Sequence, residues 1–182
     1  MKIIKGCLTA LFVFSLICIL LFWSYKSNIL EKSESLSSQV DKQWEKTAKL
    51  VAAKNSQLKT ESNISDSLKF YLQEFDKKSN IQYCDSNFIN FEYAINRLAL
   101  IENLKQENIL ELNVNSNKYN SLVRSYNTQR NIFPTSIILK NSGLKDHYKY
   151  FEIEYGVQNE SPQQKRRKTR EWQKKIEDSI LK

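Results

Sequence analysis

Few side chains in this chain can do chemistry, and those that can lack companions. His147 is the single histidine. It lies in the polar run Lys145-Asp146-His147 with no nucleophilic Ser or Cys motif beside it, so an exposed surface position is expected. The thiols are Cys7, Cys18 and Cys84. Two fall in an apolar N-terminal run, which leaves the rest of the chain without a disulfide framework. One Cys and one His cannot supply the four N or S ligands of a structural zinc site. Carboxylates at helical spacing, Asp41 with Glu45 and Glu107 with Glu111, share a face but have no histidine nearby, and solvation is their expected role. Gly6, Gly143 and Gly156 are isolated, so there is no glycine-rich phosphate loop. No catalytic residue, metal or cofactor is expected, and the chain does not read as an enzyme.

Two clusters remain. The first is basic: residues 157–182 hold eight Lys or Arg against four Asp or Glu, half of the chain's formal charge of +8. Lys165, Arg166, Arg167, Lys168 and Arg170 precede Trp172, Ile176 and Ile180 at i, i+4, i+8. A solvated tail and a short amphipathic helix on an anionic membrane surface or a partner both fit this pattern, and no nucleic-acid ligand is expected. The second is aromatic and amidic. Tyr119, Val123, Tyr126 and Phe133 recur on one helical face, which reads as a buried seam, while Asn120 and Asn127 lie seven apart on an adjacent face. Those amides could bond a neighbouring helix or loop, or line a ligand groove.

The elements that must position these residues are helices. Three Gly and two Pro in 182 residues are too few for a many-stranded sheet. Cys7 to Tyr25 is an uncharged run of 19 residues, about 28 Å as a helix, enough to cross a bilayer. Trp23 and Tyr25 close it as interfacial aromatics. Phe22 to Lys26 offers no small-residue cleavage site, so an uncleaved anchor is expected. Lys2, Lys5 and the α-amino group on one side, against Lys26 and Lys32 on the other, favour an extracytoplasmic C-terminal domain.

Beyond the anchor, Ile29, Ser33, Leu36, Val40, Trp44, Thr47, Val51, Lys54 and Leu58 form a sustained helical stripe. Asn63 to Asp66 breaks it, and Ser65 or Asp66 can cap a second helix through Leu68, Leu72 and Phe75. A third helix is predicted from Asp85 or Ser86, with Phe88, Phe91, Ala94, Ile95, Leu98, Ile101 and Leu104 on its apolar face. A fourth is predicted from about Glu107, with Leu112, Ser116, Tyr119, Val123, Tyr126, Arg130 and Phe133 in register, until Pro134 ends it or starts a new turn. Ser136 to Asn141 reads as that short turn, with Gly143 at C′. Tyr148 to Tyr155 alternates bulky and charged residues, as an extended segment packed on the bundle would.

The spacing Tyr119-Asn120, Val123, Tyr126-Asn127, Phe133-Pro134, Ile138, then Gly143-Leu144-Lys145 and Tyr150-Phe151-Glu152, resembles the C-terminal signature of the LemA family, YNxxVxxYNxxxxxFPxxxI followed by G-F-K and Y-F-E. Leu144 stands where that family usually has Phe. Val40, Trp44 and Leu58 are similar to the family's first helix after the anchor, although Gln43 replaces an Ala and an L-I-P-N-L-V run is missing. The resemblance implies a single-pass protein of the bacterial cell membrane with a helical bundle domain and no established enzymatic activity.

The sequence thus predicts an all-α chain: a flank at 1–6, a transmembrane helix at 7–25 continuing into an elongated antiparallel bundle of three or four helices at 26–156, and a basic tail at 157–182. Its expected role is a non-enzymatic envelope scaffold or adaptor with protein partners, a homo-oligomer being one compatible form. The alternative is a small-molecule or peptide-binding module that uses a Tyr/Asn-lined groove.

Overall fold

The computed structural model describes residues 2–79, 81–160 and 162–180, with side chains for 11–79, 81–160, 164–165, 167–173 and 176. The side chains of Lys2, Lys5, Cys7, Arg166 and Ile180, named above, lie outside the described residues. The chain is all-helical, with no strand among the described residues. Helices α1 (Lys2–Thr60), α2 (Asp66–Lys78), α3 (Ser86–Ile101), α4 (Ile109–Asn131), α5 (Thr135–Lys140) and α6 (Pro162–Ile180) follow one another. They divide into two compact units, Met1–Gln43 with Ser121–Lys149, and Trp44–Asn120 with Tyr150–Lys182.

The helix ends follow local chemistry. Ser65 caps α2 by accepting from the Leu68 N–H, and Asp85 caps α3 by accepting from the Phe88 N–H at 2.7 Å, each quenching an orphan donor of the first turn. Helix α3 closes with Asn103 at φ 53°: its N–H donates to the Leu100 carbonyl and that of Leu104 to the Ala99 carbonyl. That is the paired 5→2 and 6→1 pattern by which a left-handed C′ residue satisfies the last carbonyls. Helix α4 stops short of the cis Phe133–Pro134 bond, and α5 restarts directly after it. The C-cap of α5 is Asn141, so Gly143, with φ 74°, stands one residue beyond the C′ position expected of it.

In the second unit, α1 from Trp44 onward, α2, α3, the first half of α4 and the segment from Tyr150 enclose an aromatic core. The Trp44 ring meets Phe88, Tyr119 and Phe151 at centroid distances of 4.9, 5.1 and 5.6 Å, and Phe75 meets Phe88 at 4.9 Å. These edge-on and tilted contacts are the geometry aromatic quadrupoles favour. The Trp44 indole N–H donates to the Ile81 carbonyl at 2.9 Å, so the ring is buried without an orphan donor. The predicted α1 stripe is buried at every position but Leu36, which is half-buried.

The α3 face differs from the expected one. Phe88, Glu92, Ile95, Asn96 and Ala99 are buried, whereas Phe91, Ala94 and Leu98 are half-buried and Ile101 is exposed. The buried stripe is displaced by about one residue step from the expected face, and a carboxylate, Glu92, lies at its centre. The first unit packs α1 up to Gln43 against the last part of α4, α5 and the loop to Lys149. Here Gln129 Nε2 donates to Ser33 Oγ at 3.0 Å, and the Tyr126 ring stacks edge-on against Tyr148 at 4.9 Å.

Candidate functional site

The Tyr-Asn signature lies on α4, and its amides are fully engaged. Asn127 Nδ2 donates to the Tyr148 carbonyl at 2.9 Å while its Oδ1 accepts from the Tyr148 N–H at 3.0 Å. Asn120 grips Phe151 in the same way, at 2.8 Å in both directions. A third residue completes the series: Asn113 donates to the Tyr155 carbonyl at 3.1 Å and accepts from its N–H at 2.8 Å. Each rung joins residues of one unit. A primary amide offers one acceptor and two donors on a short planar head, which lets it pair with both backbone groups of one extended residue as a neighbouring strand would. The pitch matches too. Seven helical residues rise about 10.5 Å, and the three or four extended residues between rungs span about 10–13 Å. Asn113 was missed from sequence, although its seven-residue spacing from Asn120 was the available signal.

The apolar seam holds from Leu112 to Tyr126 and then changes character. Tyr119, Val123 and Tyr126 are buried as expected. Phe133 is not: it is 75% exposed, because α4 ends at Asn131 and the helical phase that would turn its ring inward ends with it. Pro134 is exposed as well. Arg130 takes the buried end of the stripe. Its guanidinium donates to the carbonyls of Leu139, Leu144 (3.0 Å) and Asp146 (3.4 Å) and to Asp146 Oδ1 (2.5 Å), so it gathers the loop after α5 by its backbone. Tyr126 Oη donates to the Lys145 carbonyl at 2.5 Å. Tyr148 Oη donates to Asp41 Oδ2 at 3.0 Å and shares a hydrogen bond with Ser37 Oγ at 2.8 Å. Burial is the main cause that pushes the Tyr148 phenol up to about 12.

A buried polar cluster lies in the second unit. Lys54 Nζ donates to Glu92 Oε1 at 2.5 Å with the two side chains only 2% and 0% exposed. Asn55 Nδ2 donates to Glu92 Oε2 at 2.8 Å. The Lys54 ammonium lies 5.0 Å from the centroid of the Tyr155 ring, a cation–π distance. Tyr155 is buried with its phenol beside the Glu92 carboxylate. Its burial, followed by the Glu92 charge, holds that phenol well above its usual value. Glu92 escaped the sequence reading. The signal was an acid inside one apolar stripe and a base, Lys54, inside another. Enclosed on every side, the pair fixes packing and has no access to substrate.

Other predicted positions are peripheral. His147 is exposed and Cys84 half-buried. Glu45 pairs with Lys49, Asp41 serves Tyr148, and Glu107 is exposed. Among the described residues no group of three His, Cys, Asp or Glu could hold a metal. Of the Tyr150-Phe151-Glu152 triplet, Phe151 is buried, Tyr150 is exposed, and Glu152 accepts from Lys165 Nζ at 3.0 Å. In the tail, α6 carries Arg167, Lys168, Arg170 and Trp172 exposed, and Lys168 pairs with Glu160. A cavity of about 130 Å³, lined by Asn55, Ser56, Phe75 and Ser79 among others, falls below the 300–1,000 Å³ typical of ligand pockets. It has room for a few waters beside Asn55 Oδ1 and Ser79 Oγ, which lack protein partners.

Helix α1 is long and apolar enough at its start to cross a membrane, and only 6% of its apolar window is buried within the protein. No protein-family model, curated protein or solved structure matches the chain.

Proposed function

We propose that this chain is a membrane-anchored helical scaffold or adaptor of the LemA type, held by the first part of α1 and presenting its bundle surface to protein partners. The observation that carries this reading is how the signature amides are used. Asn120 and Asn127 both spend donor and acceptor on the backbone of residues 148–151, which supports a role in building the domain rather than in lining a groove. The exposed apolar start of α1 supports the anchor, since a lipid-facing helix has no other cover. Surface apolar residues on α4, Leu110 and Val114, at 79% and 58% exposure, are candidate partner contacts.

Photo-crosslinking amino acids at Leu110 and Val114, activated in native membranes, test the scaffold reading. Discrete protein adducts at either position support it. Absence of any protein adduct, together with a small molecule retained by the purified chain in native mass spectrometry, would instead establish a binding module. Labelling of Ser62→Cys by an impermeant thiol reagent on intact cells tests sidedness, an extracytoplasmic domain being labelled before lysis.

A further inference from the structure

The first unit exposes an apolar tip where α4 turns into α5. Ile132, Phe133 and Ile137 are 53%, 75% and 65% exposed, with Pro134 exposed between them. Four large apolar or ring side chains within six residues form a patch that a water-facing turn has no reason to keep.

The register of the unit fixes the height of this tip along α1. Tyr126 stacks on Tyr148, whose hydroxyl reaches Ser37 and Asp41, whereas Gln129 bonds Ser33. Rising numbers on α4 therefore run with falling numbers on α1. Continuing past Gln129 brings the turn at 132–133 to the level of Ile29 and Leu30. The burial of α1 agrees: residues 11–28 are exposed, and Ile29 is the first buried one. From Ile29 to Tyr25, the end of the apolar run, is one helical turn, about 6 Å. The headgroup layer on each side of a bilayer is about 5–7 Å deep.

From this height and exposure, and resting on the membrane anchor proposed above, we propose that the tip Ile132-Phe133-Pro134-Ile137 is a second membrane contact, seated in the lipid headgroup layer beside the end of the span. The turn then fixes the tilt of the first unit against the bilayer, because one helix gives a pivot and a second contact removes the rotation about it.

The test uses the full chain in nanodiscs, in a background with Cys7→Ala, Cys18→Ala and Cys84→Ala. An environment-sensitive fluorophore is attached in turn at Phe133→Cys, Leu20→Cys and Ser38→Cys, with and without lipids carrying a nitroxide near the headgroup or along the acyl chain. The expected result is blue-shifted emission and loss of intensity to the shallow nitroxide at position 133, quenching by the acyl nitroxide at 20, and neither at 38. Water-like, unquenched emission at 133 with quenching kept at 20 overturns the tip contact and leaves the anchor standing. Blue-shifted emission at 133 that no lipid nitroxide quenches also overturns it, in favour of cover by protein. Loss of quenching at position 20 overturns the anchor itself and the tip contact with it.

Discussion

Both units bury a cation near the end of a helical stripe, and they do so by opposite means. In the second unit Lys54 meets a single carboxylate, Glu92, in a site closed to water on both sides. In the first, Arg130 meets mainly backbone carbonyls, and its one carboxylate partner, Asp146, is 90% exposed. The contrast follows from the side chains. An ammonium is a compact point charge that needs a matched anion once water is gone, whereas the planar guanidinium spreads its charge over five donors and can be satisfied by dipoles. The enclosed pair is therefore all-or-nothing, and the open one is graded.

The largest expected effect breaks the enclosed pair. Lys54→Ala removes the partner of the buried Glu92 carboxyl and should cost about 3–5 kcal/mol of stability. Far-UV circular dichroism of thermal or denaturant unfolding, on the full chain in detergent, measures it. Lys54→Met with Glu92→Leu removes both charges at similar volume and should recover most of the loss, since a buried pair gains little over apolar packing. A single mutant within about 1 kcal/mol of the parent would mean water reaches the pair, and the contrast with Arg130 would vanish.

Arg130→Met comes next. It withdraws charge-assisted donors from the carbonyls of Leu139, Leu144 and Asp146, and should cost roughly 2–3 kcal/mol while speeding amide exchange in the loop from Asn141 to Lys149. Asp146→Ala should stay within about 1 kcal/mol of the parent, because that carboxylate remains in water. An Asp146 effect as large as that of Arg130 would make the two cation sites alike after all.

The asparagine rungs rank below these. Asn120→Ala or Asn127→Ala leaves one N–H and one C=O of the extended segment unmatched and should cost about 1–3 kcal/mol. Half-buried Asn120 should cost less than buried Asn127, because water can replace part of its amide. Equal losses would show that exposure does not grade the rungs.

The helical stripes were legible because burial there follows a single period. Val40, Trp44, Val51, Leu68, Leu72 and Tyr119 fall where 3.6-residue spacing puts them. The caps Ser65 and Asp85 were legible because short polar side chains before an apolar run have one dominant use. Phe133 was misread since periodicity carries no information past a helix end. Glu92 was invisible because a charge in an apolar stripe becomes sensible only with its partner, thirty-eight positions away, in view. Asn120 and Asn127 were legible as polar contacts, but sequence left open whether they bond a neighbouring segment or line a groove. An amide can serve a ligand or a backbone equally well, and only the fold places residues 148–155 beside them.

The smallest effect is silent at neutral pH and concerns the phenols beside the two sites. Tyr155 lies buried near Glu92, and Tyr148 donates to Asp41 in the other unit. Both are raised above 10, so folding favours their protonated forms. The stability each contributes is fully present below pH 10, where folded and unfolded chains both keep the proton, and is lost as pH climbs toward about 12 for Tyr148, because the unfolded chain releases its proton first. Tyr148→Phe should therefore flatten the fall in stability between pH 10 and about 12 and remove one late phenol from the tyrosinate absorbance titration. Tyr155→Phe should likewise flatten the alkaline fall in stability, since burial first and the neighbouring Glu92 carboxylate second hold that phenol's proton. If Tyr148 titrates near 10 instead, water reaches the first unit's phenol, and the unit that satisfies its cation by dipoles is also the one that stays wet.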